Sequence, residues 1–182
     1  MTCIVAIEKD GKVTMGGDRL GSNGYTGAPV AQAKVFTKNH VTIGYCGSFR
    51  MGQLLQHALD LPLISESTDL DKWVAIEFMQ AIRKAYADNG WDKQKDGEAH
   101  GGNFLLAVRG RCYEIQSDYS YLRHISGEYA IGSGQDYALG SLRSTRNKMS
   151  TVKRILESLE TAAEYVVSVS APFDIVETSK KG

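Results

Sequence analysis

Residues 1–19 read MTCIVAIEKDGKVTMGGDR. Cys3, Ile4, Val5, Ala6 and Ile7 form an apolar run, Asp10-Gly11 favours a tight turn, and residues 12–17 continue as a second extended segment. The stretch predicts two antiparallel strands, the first beginning at the chain start. It also places Thr2 at the head of that strand. A threonine hydroxyl is a weak nucleophile with no base beside it, but at a free chain terminus it would carry its own base, the α-amine.

Working outward, LGSNGYTGAP at residues 20–29 is rich in Gly, Ser and Asn and reads as a loop. Residues 34–38 and 41–46, divided by Asn39-His40, predict a second hairpin. Within residues 49–61, Met51, Leu54, Leu55, Ala58 and Leu59 recur at helical spacing behind Ser48 as N-cap. Residues 70–87 repeat that signal through Trp73, Ile76, Met79, Ala81 and Ile82, ending at Asn89-Gly90. The polar segment 91–102 reads as a loop, and residues 103–108 and 111–117 as a third hairpin turning at Arg109-Gly110. Residues 129–131 suggest a short strand leading into Gly132-Ser133-Gly134. Residues 135–146 and 151–167 read as helices, the latter capped by Ser150, and 173–178 as a final strand. The order predicts one α+β domain over residues 1–182: two stacked antiparallel sheets, each covered on its outer face by a helix pair.

A chain of 182 residues can bury roughly two-thirds of its unfolded surface. With 42% hydrophobic and 23% charged residues it has ordinary globular composition. Lys and Arg together number 21, as do Asp and Glu, so the composition points to no nucleic-acid partner. Cys3, Cys46 and Cys112 are odd in number and widely spaced, suggesting neither a disulfide framework nor a zinc site. Glu8, Lys9 and Asp10 fall where a signal peptide needs apolar residues, and no run of 18 apolar residues occurs. The expectation is a cytoplasmic protein without a membrane partner.

Nothing calls for a cofactor or metal. His40, His57, His100 and His124 have no metal-ligand spacing and are expected on loops and helix surfaces. GSGQDYA at residues 132–138 matches half of a dinucleotide fingerprint, but Tyr137 stands where the third glycine belongs and no opening βαβ unit surrounds it.

Five motifs in order carry a more specific reading: Thr2-Cys3-Ile4-Val5-Ala6, Gly17-Asp18-Arg19, Lys34-Val35, Gly44-Tyr45-Cys46-Gly47 and Ile131-Gly132-Ser133-Gly134. In sequence and spacing the chain resembles the β-type subunits of the proteasome and the bacterial peptidase HslV, of the N-terminal-nucleophile hydrolase superfamily. The resemblance covers most of the chain and implies a four-layer αββα sandwich.

It also implies a site. Once Met1 is removed, Thr2 would be the nucleophile and its amine the base. Lys34 would lower the pKa values of both, Asp18 would hold Lys34 charged and in place, and the Gly47 N–H would form the oxyanion hole. Ser133 would hydrogen-bond near the terminal amine. Where the family has paired glycines this chain has Gly47-Ser48-Phe49-Arg50. The proteasomal aspartate near the last helix is absent from residues 164–170, leaving Ser168 or Ser170 for the supporting role. Cys3 and Cys46, on core strands, read as buried small hydrophobes.

The resemblance therefore implies a threonine endopeptidase acting on polypeptide substrates, in homo-oligomeric rings fed by an ATP-dependent unfoldase. The alternatives are a non-catalytic ring or scaffold protein with the same fold, and an N-terminal-threonine amidase.

Overall fold

A computed structural model describes residues 2–91, 93–95 and 98–179. The chain runs β1 (Cys3–Lys9), β2 (Lys12–Asp18), the short β3 (Leu20–Ser22) and β4 (Gly27–Pro29), β5 (Val35–Lys38) and β6 (Val41–Tyr45). Next come α1 (Phe49–His57), α2 (Leu70–Trp73), a π-helical segment (Val74–Phe78) and α3 (Met79–Asp88). After β7 (Lys93–Lys95), β8 (Glu98–His100), β9 (Phe104–Val108), β10 (Arg111–Ile115), β11 (Tyr121–Leu122) and β12 (Glu128–Gly132) follow α4 (Gln135–Thr145), α5 (Thr151–Tyr165) and β13 (Phe173–Ser179).

The opening stretch forms the expected hairpin: Asp10 and Gly11 have φ of 52° and 72°, the left-handed pair that a two-residue hairpin turn requires. This hairpin is the centre of a four-stranded antiparallel sheet ordered β12-β1-β2-β13. A second antiparallel sheet is ordered β11-β10-β9-β6-β5, and β3-β4 and β7-β8 are separate two-stranded ribbons.

Strand β1 is apolar at successive positions because both its faces are covered. Cys3, Val5 and Ile7 pack with Ala138 and Leu142 of α4 and Ile155 and Leu159 of α5. Ile4 and Ala6 share a second cluster with Met15 of β2, Val35 of β5, Leu105 and Ala107 of β9 and Cys112 of β10. A third cluster joins Ile43, Tyr45, Leu106 and Tyr113 of the second sheet to Met51, Leu55, Trp73, Phe78 and Ile82 on the helices after β6. Fully burying residues of this size contributes about 1.5 to 3 kcal/mol each before entropy is counted.

The Ser48 cap forms, its Oγ accepting from the Met51 N–H at 3.4 Å. Other expectations need correction. Residues 20–29 contain the β3-β4 ribbon, whose tip is closed by Asn23 Oδ1 accepting from the backbone of Tyr25 and Thr26; strands this short carry no alternation to read. Residues 93–95 and 98–100, expected in a loop, pair as strands, while Asp92, Asp96 and Gly97 lie outside the described residues. The first helix stops at His57, short of the predicted end at Leu61, which directly precedes Pro62. Residues 70–87 are helical but wind through a π segment, starting from Asp69, whose side chain accepts from Asp71 and Lys72. Ser150 occupies the N-cap position of α5 without a side-chain bond. Among the described residues no helix is long and apolar enough to cross a membrane.

The pairing registers set the site. Cys3 lies opposite Gly132 and Ile4 opposite Gly17, so the start of β1, the end of β2 and the end of β12 meet at one end of the sheet. Lys34 enters from the second sheet, its carbonyl accepting from the Tyr45 N–H at 3.0 Å.

Candidate active site

Asp18, the last residue of β2, is fully buried, as is Lys34 to within 2%. Lys34 Nζ donates to Asp18 Oδ2 at 2.8 Å and to the Leu20 carbonyl at 2.7 Å. Asp18 Oδ1 accepts the Cys3 N–H at 2.9 Å, and Oδ2 also accepts from Leu20 at 2.9 Å. A buried ion pair must offset the desolvation of both charges, and these additional bonds to the carboxylate do so. Through the Cys3 amide, the carboxylate that holds Lys34 also fixes the backbone one residue from Thr2.

Thr2 is itself 3% exposed. Its N–H donates to Ser133 Oγ at 3.2 Å, and its carbonyl lies 3.3 Å from both Ser133 Oγ and the Gly134 N–H. Ser133 Oγ is also 3.0 Å from Ser168 Oγ, and Ser168 is 1% exposed. The hydroxyl pair can pass a proton either way, since one oxygen can donate while the other accepts. Ser170 instead donates to the Ala171 carbonyl at the surface. Ser168, which spacing could not separate from Ser170, is therefore the one placed against Ser133.

Gly132 makes the approach possible. Its φ is +95°, and a Cβ there would stand 2.2 Å from the Thr2 carbonyl oxygen. Gly47, at φ +88°, lies at the exposed rim: a Cβ on it would meet no atom within 4 Å. It is linked to the group through Cys46, whose Cβ is 3.4 Å from the Cβ position of Gly132. Of the five residues expected at the site, Thr2, Asp18, Lys34 and Ser133 are brought together by direct contacts or one intervening amide. Gly47 borders them. Met1 lies outside the described residues.

The neighbouring thiols are poor nucleophiles. Burial pushes Cys3 up to about 12, and burial likewise lifts Cys46 to about 11, so both are neutral thiols near neutrality. Cys46 is half-buried just beyond β6, less enclosed than a core strand position implies. His40 lies in a turn against Trp73, with burial lowering its imidazole pKa; His57 ends α1; His124 precedes β12; and His100 belongs to β8, contrary to the loop expectation. Among the described residues no three His, Cys, Asp or Glu side chains converge as a metal site.

BPH from Thiobacillus denitrificans, in complex with epoxomicin, matches at a TM-score of 0.80 and 19% identity, over 100% of each chain. Eukaryotic HslV from Trypanosoma brucei matches at 0.70 and 19% identity, over 98% of this chain and 99% of that one. The Gly-1 mutant of Anbu from Hyphomicrobium sp. strain MC1 matches at 0.71 and 16% identity, over 98% and 82%. The chain has the proteasome-like fold. Its neighbours are proteasome-like members of the N-terminal-nucleophile hydrolase fold. No family model matches the sequence. At these identities the proteasome-like fold is the shared property, and what this end of the sheet does chemically rests on the residues placed there.

Proposed function

We propose that this chain is a threonine-type endopeptidase whose nucleophile is Thr2 after removal of Met1. The observation that carries the reading is the buried Asp18–Lys34 pair, joined by the Cys3 N–H to the start of β1. A positive charge held out of water beside a chain terminus favours the neutral α-amine, whose ordinary pKa is about 7.7 to 8.0. The amine takes the Thr2 hydroxyl proton as Oγ attacks the scissile carbonyl carbon. The Gly47 N–H receives the developing oxyanion, a contact worth about 10² to 10³ in rate. The amine then returns the proton to the leaving nitrogen, leaving an ester on Thr2, which water opens under the same base. Ser133 and Ser168 orient the amine and relay its proton.

The three apolar clusters support reading the stack as a four-layer αββα sandwich, and the whole of 1–182 as one peptidase domain. In the same reading the protein acts in the cytoplasm, forms homo-oligomeric rings around a polypeptide-degrading chamber, and receives substrate from an ATP-dependent unfoldase.

The test is the intact mass of the purified protein, turnover of fluorogenic peptides, and capture by epoxomicin, the compound held by the Thiobacillus denitrificans neighbour. The reading expects loss of Met1, peptide cleavage and one adduct on the Thr2 peptide, and neither cleavage nor adduct in Thr2→Ala. Processed, assembled protein without turnover or adduct points to the scaffold alternative. Cleavage of small amides but not peptides points to the amidase.

A further inference from the structure

We infer that Arg19 and Asp174 form a positioning pair that holds Lys34 on Asp18, an inference that rests on the peptidase reading for its consequence in turnover. Arg19 stands between Asp18 and Leu20, the two residues that bind the Lys34 ammonium. Its side chain points the other way. Arg19 Nε and Nη2 each lie 2.7 Å from an oxygen of Asp174 on β13, a two-point pairing that fixes the guanidinium plane. Nη1 donates to the Ala31 carbonyl at 3.0 Å.

The backbone of Arg19 is held as firmly. Its N–H donates to the Pro172 carbonyl at 3.1 Å, and its carbonyl accepts from Val30 at 2.9 Å. One residue therefore ties together the end of β2 that bears Asp18, the segment at residues 30–31 that leads to Lys34, and the start of β13, which follows the Ser168 segment. Three of the chain's approaches to the site converge on a single residue.

A generic strand clamp would lie anywhere along β2 and β13, and one does: Lys12 Nζ sits 3.2 Å from Glu177 Oε1 at the far end of the same two strands. That pair is about half exposed on both sides, and among the described residues its further hydrogen bond is from Thr14 Oγ1 to Glu177, at the end of the strands away from Lys34. The Arg19–Asp174 pair is 31% and 22% exposed and sits at the catalytic end. Position along the strands, and the third bond to Ala31, separate positioning from simple reinforcement.

The experiment reads Lys34 directly. Native protein is acetylated at fixed pH, and modification of the Lys34 peptide is followed by mass spectrometry beside peptide kcat and KM. Arg19→Gln and Asp174→Asn are expected to speed Lys34 acetylation about tenfold by easing local opening. They should lower kcat about 10- to 100-fold with KM within about twofold, the pattern of displaced catalytic groups. The double variant should be no worse than either single. Arg19→Lys, keeping the charge without the fork, should fall between, and it keeps the test usable if Arg19→Gln does not fold. Lys12→Gln should leave Lys34 as protected as in the parent. Unchanged Lys34 reactivity in Arg19→Gln and Asp174→Asn, or an equal rise in Lys12→Gln, overturns the inference. A parent without peptidase activity whose Lys34 responds as expected overturns the functional reading alone and leaves the pair standing.

Discussion

Lys34 Nζ lies 2.8 Å from Asp18 Oδ2 with neither side chain more than 2% exposed, while the other carboxylate oxygen takes the amide proton of Cys3. The pair thus links the second sheet, from which Lys34 arrives, to the first residues of the opening strand. Charge and backbone position are set by one contact.

Asp18→Asn leaves the Lys34 charge buried without its counterion and should destabilise the fold by about 3 to 5 kcal/mol. Lys34→Met strands Asp18 in the same way. Combined, the two should cost less than the sum of the singles, because each removes the other's unpaired charge. Urea unfolding of the four proteins measures the coupling, and all three variants should lose peptide turnover.

Ser133→Ala removes the hydroxyl that accepts the Thr2 N–H. Turnover should fall by about 10² if that contact serves proton transfer, with a smaller loss for Ser168→Ala, which acts through Ser133. Ser170→Ala should match the parent, since its hydroxyl binds only its neighbour's carbonyl among the described contacts. Steady-state rates against pH separate the three, because only the first two should displace the acidic limb.

Gly132→Ala must place a Cβ 2.2 Å from the Thr2 carbonyl at a φ of +95°. It should lose more than about 1 kcal/mol and also displace Thr2, so activity falls further than the folded fraction does. Gly47→Ala meets the same left-handed backbone but no neighbouring atom, and it keeps its N–H. There the loss of activity should follow the loss of folded protein. Comparing thermal unfolding with turnover for both variants checks this.

Glu128 on β12 sets an acid limit. Burial pushes its carboxyl pKa up, but bonds from Arg146 and Arg154 outweigh that and hold it below the ordinary value of 4.5. A carboxylate with a lowered folded pKa contributes stability that is fully present above about pH 4.5 and is lost as pH falls through the folded value. Stability measured by urea at a series of pH values should therefore drop below pH 4.5. Glu128→Gln should be less stable at neutral pH and should flatten that acid slope.

The opening strands, the Asp10-Gly11 turn, the Ser48 cap and the helices after residues 69 and 150 were legible because each is decided within a few residues by turn chemistry and apolar period. The β3-β4 ribbon was not, since three-residue strands held by Asn23 carry no periodic signal. The π segment at Val74–Phe78 escaped for a related reason: its apolar spacing is close to that of an ordinary helix. At the site, Thr2, Asp18, Lys34 and Ser133 could be named from the resemblance to the proteasome β-type and HslV-type peptidases. Ser168 could not be separated from Ser170, and the partner of Arg19 was invisible, because Asp174 is 155 residues away along the chain.

By itself the sequence determined that β1 opens with an apolar run from Cys3 to Ile7, that a threonine heads it, and that an aspartate, a lysine and a glycine-flanked serine follow in order. Only the tertiary structure decided that these residues meet at one end of the first sheet. Register places Cys3 opposite Gly132 and Ile4 opposite Gly17, and stacking of the second sheet delivers Lys34 to Asp18. Local propensity reaches a few residues, whereas the bonds from Cys3 to Asp18, Lys34 to Asp18 and Thr2 to Ser133 span 15, 16 and 131 positions and exist only once both sheets have closed on their shared core.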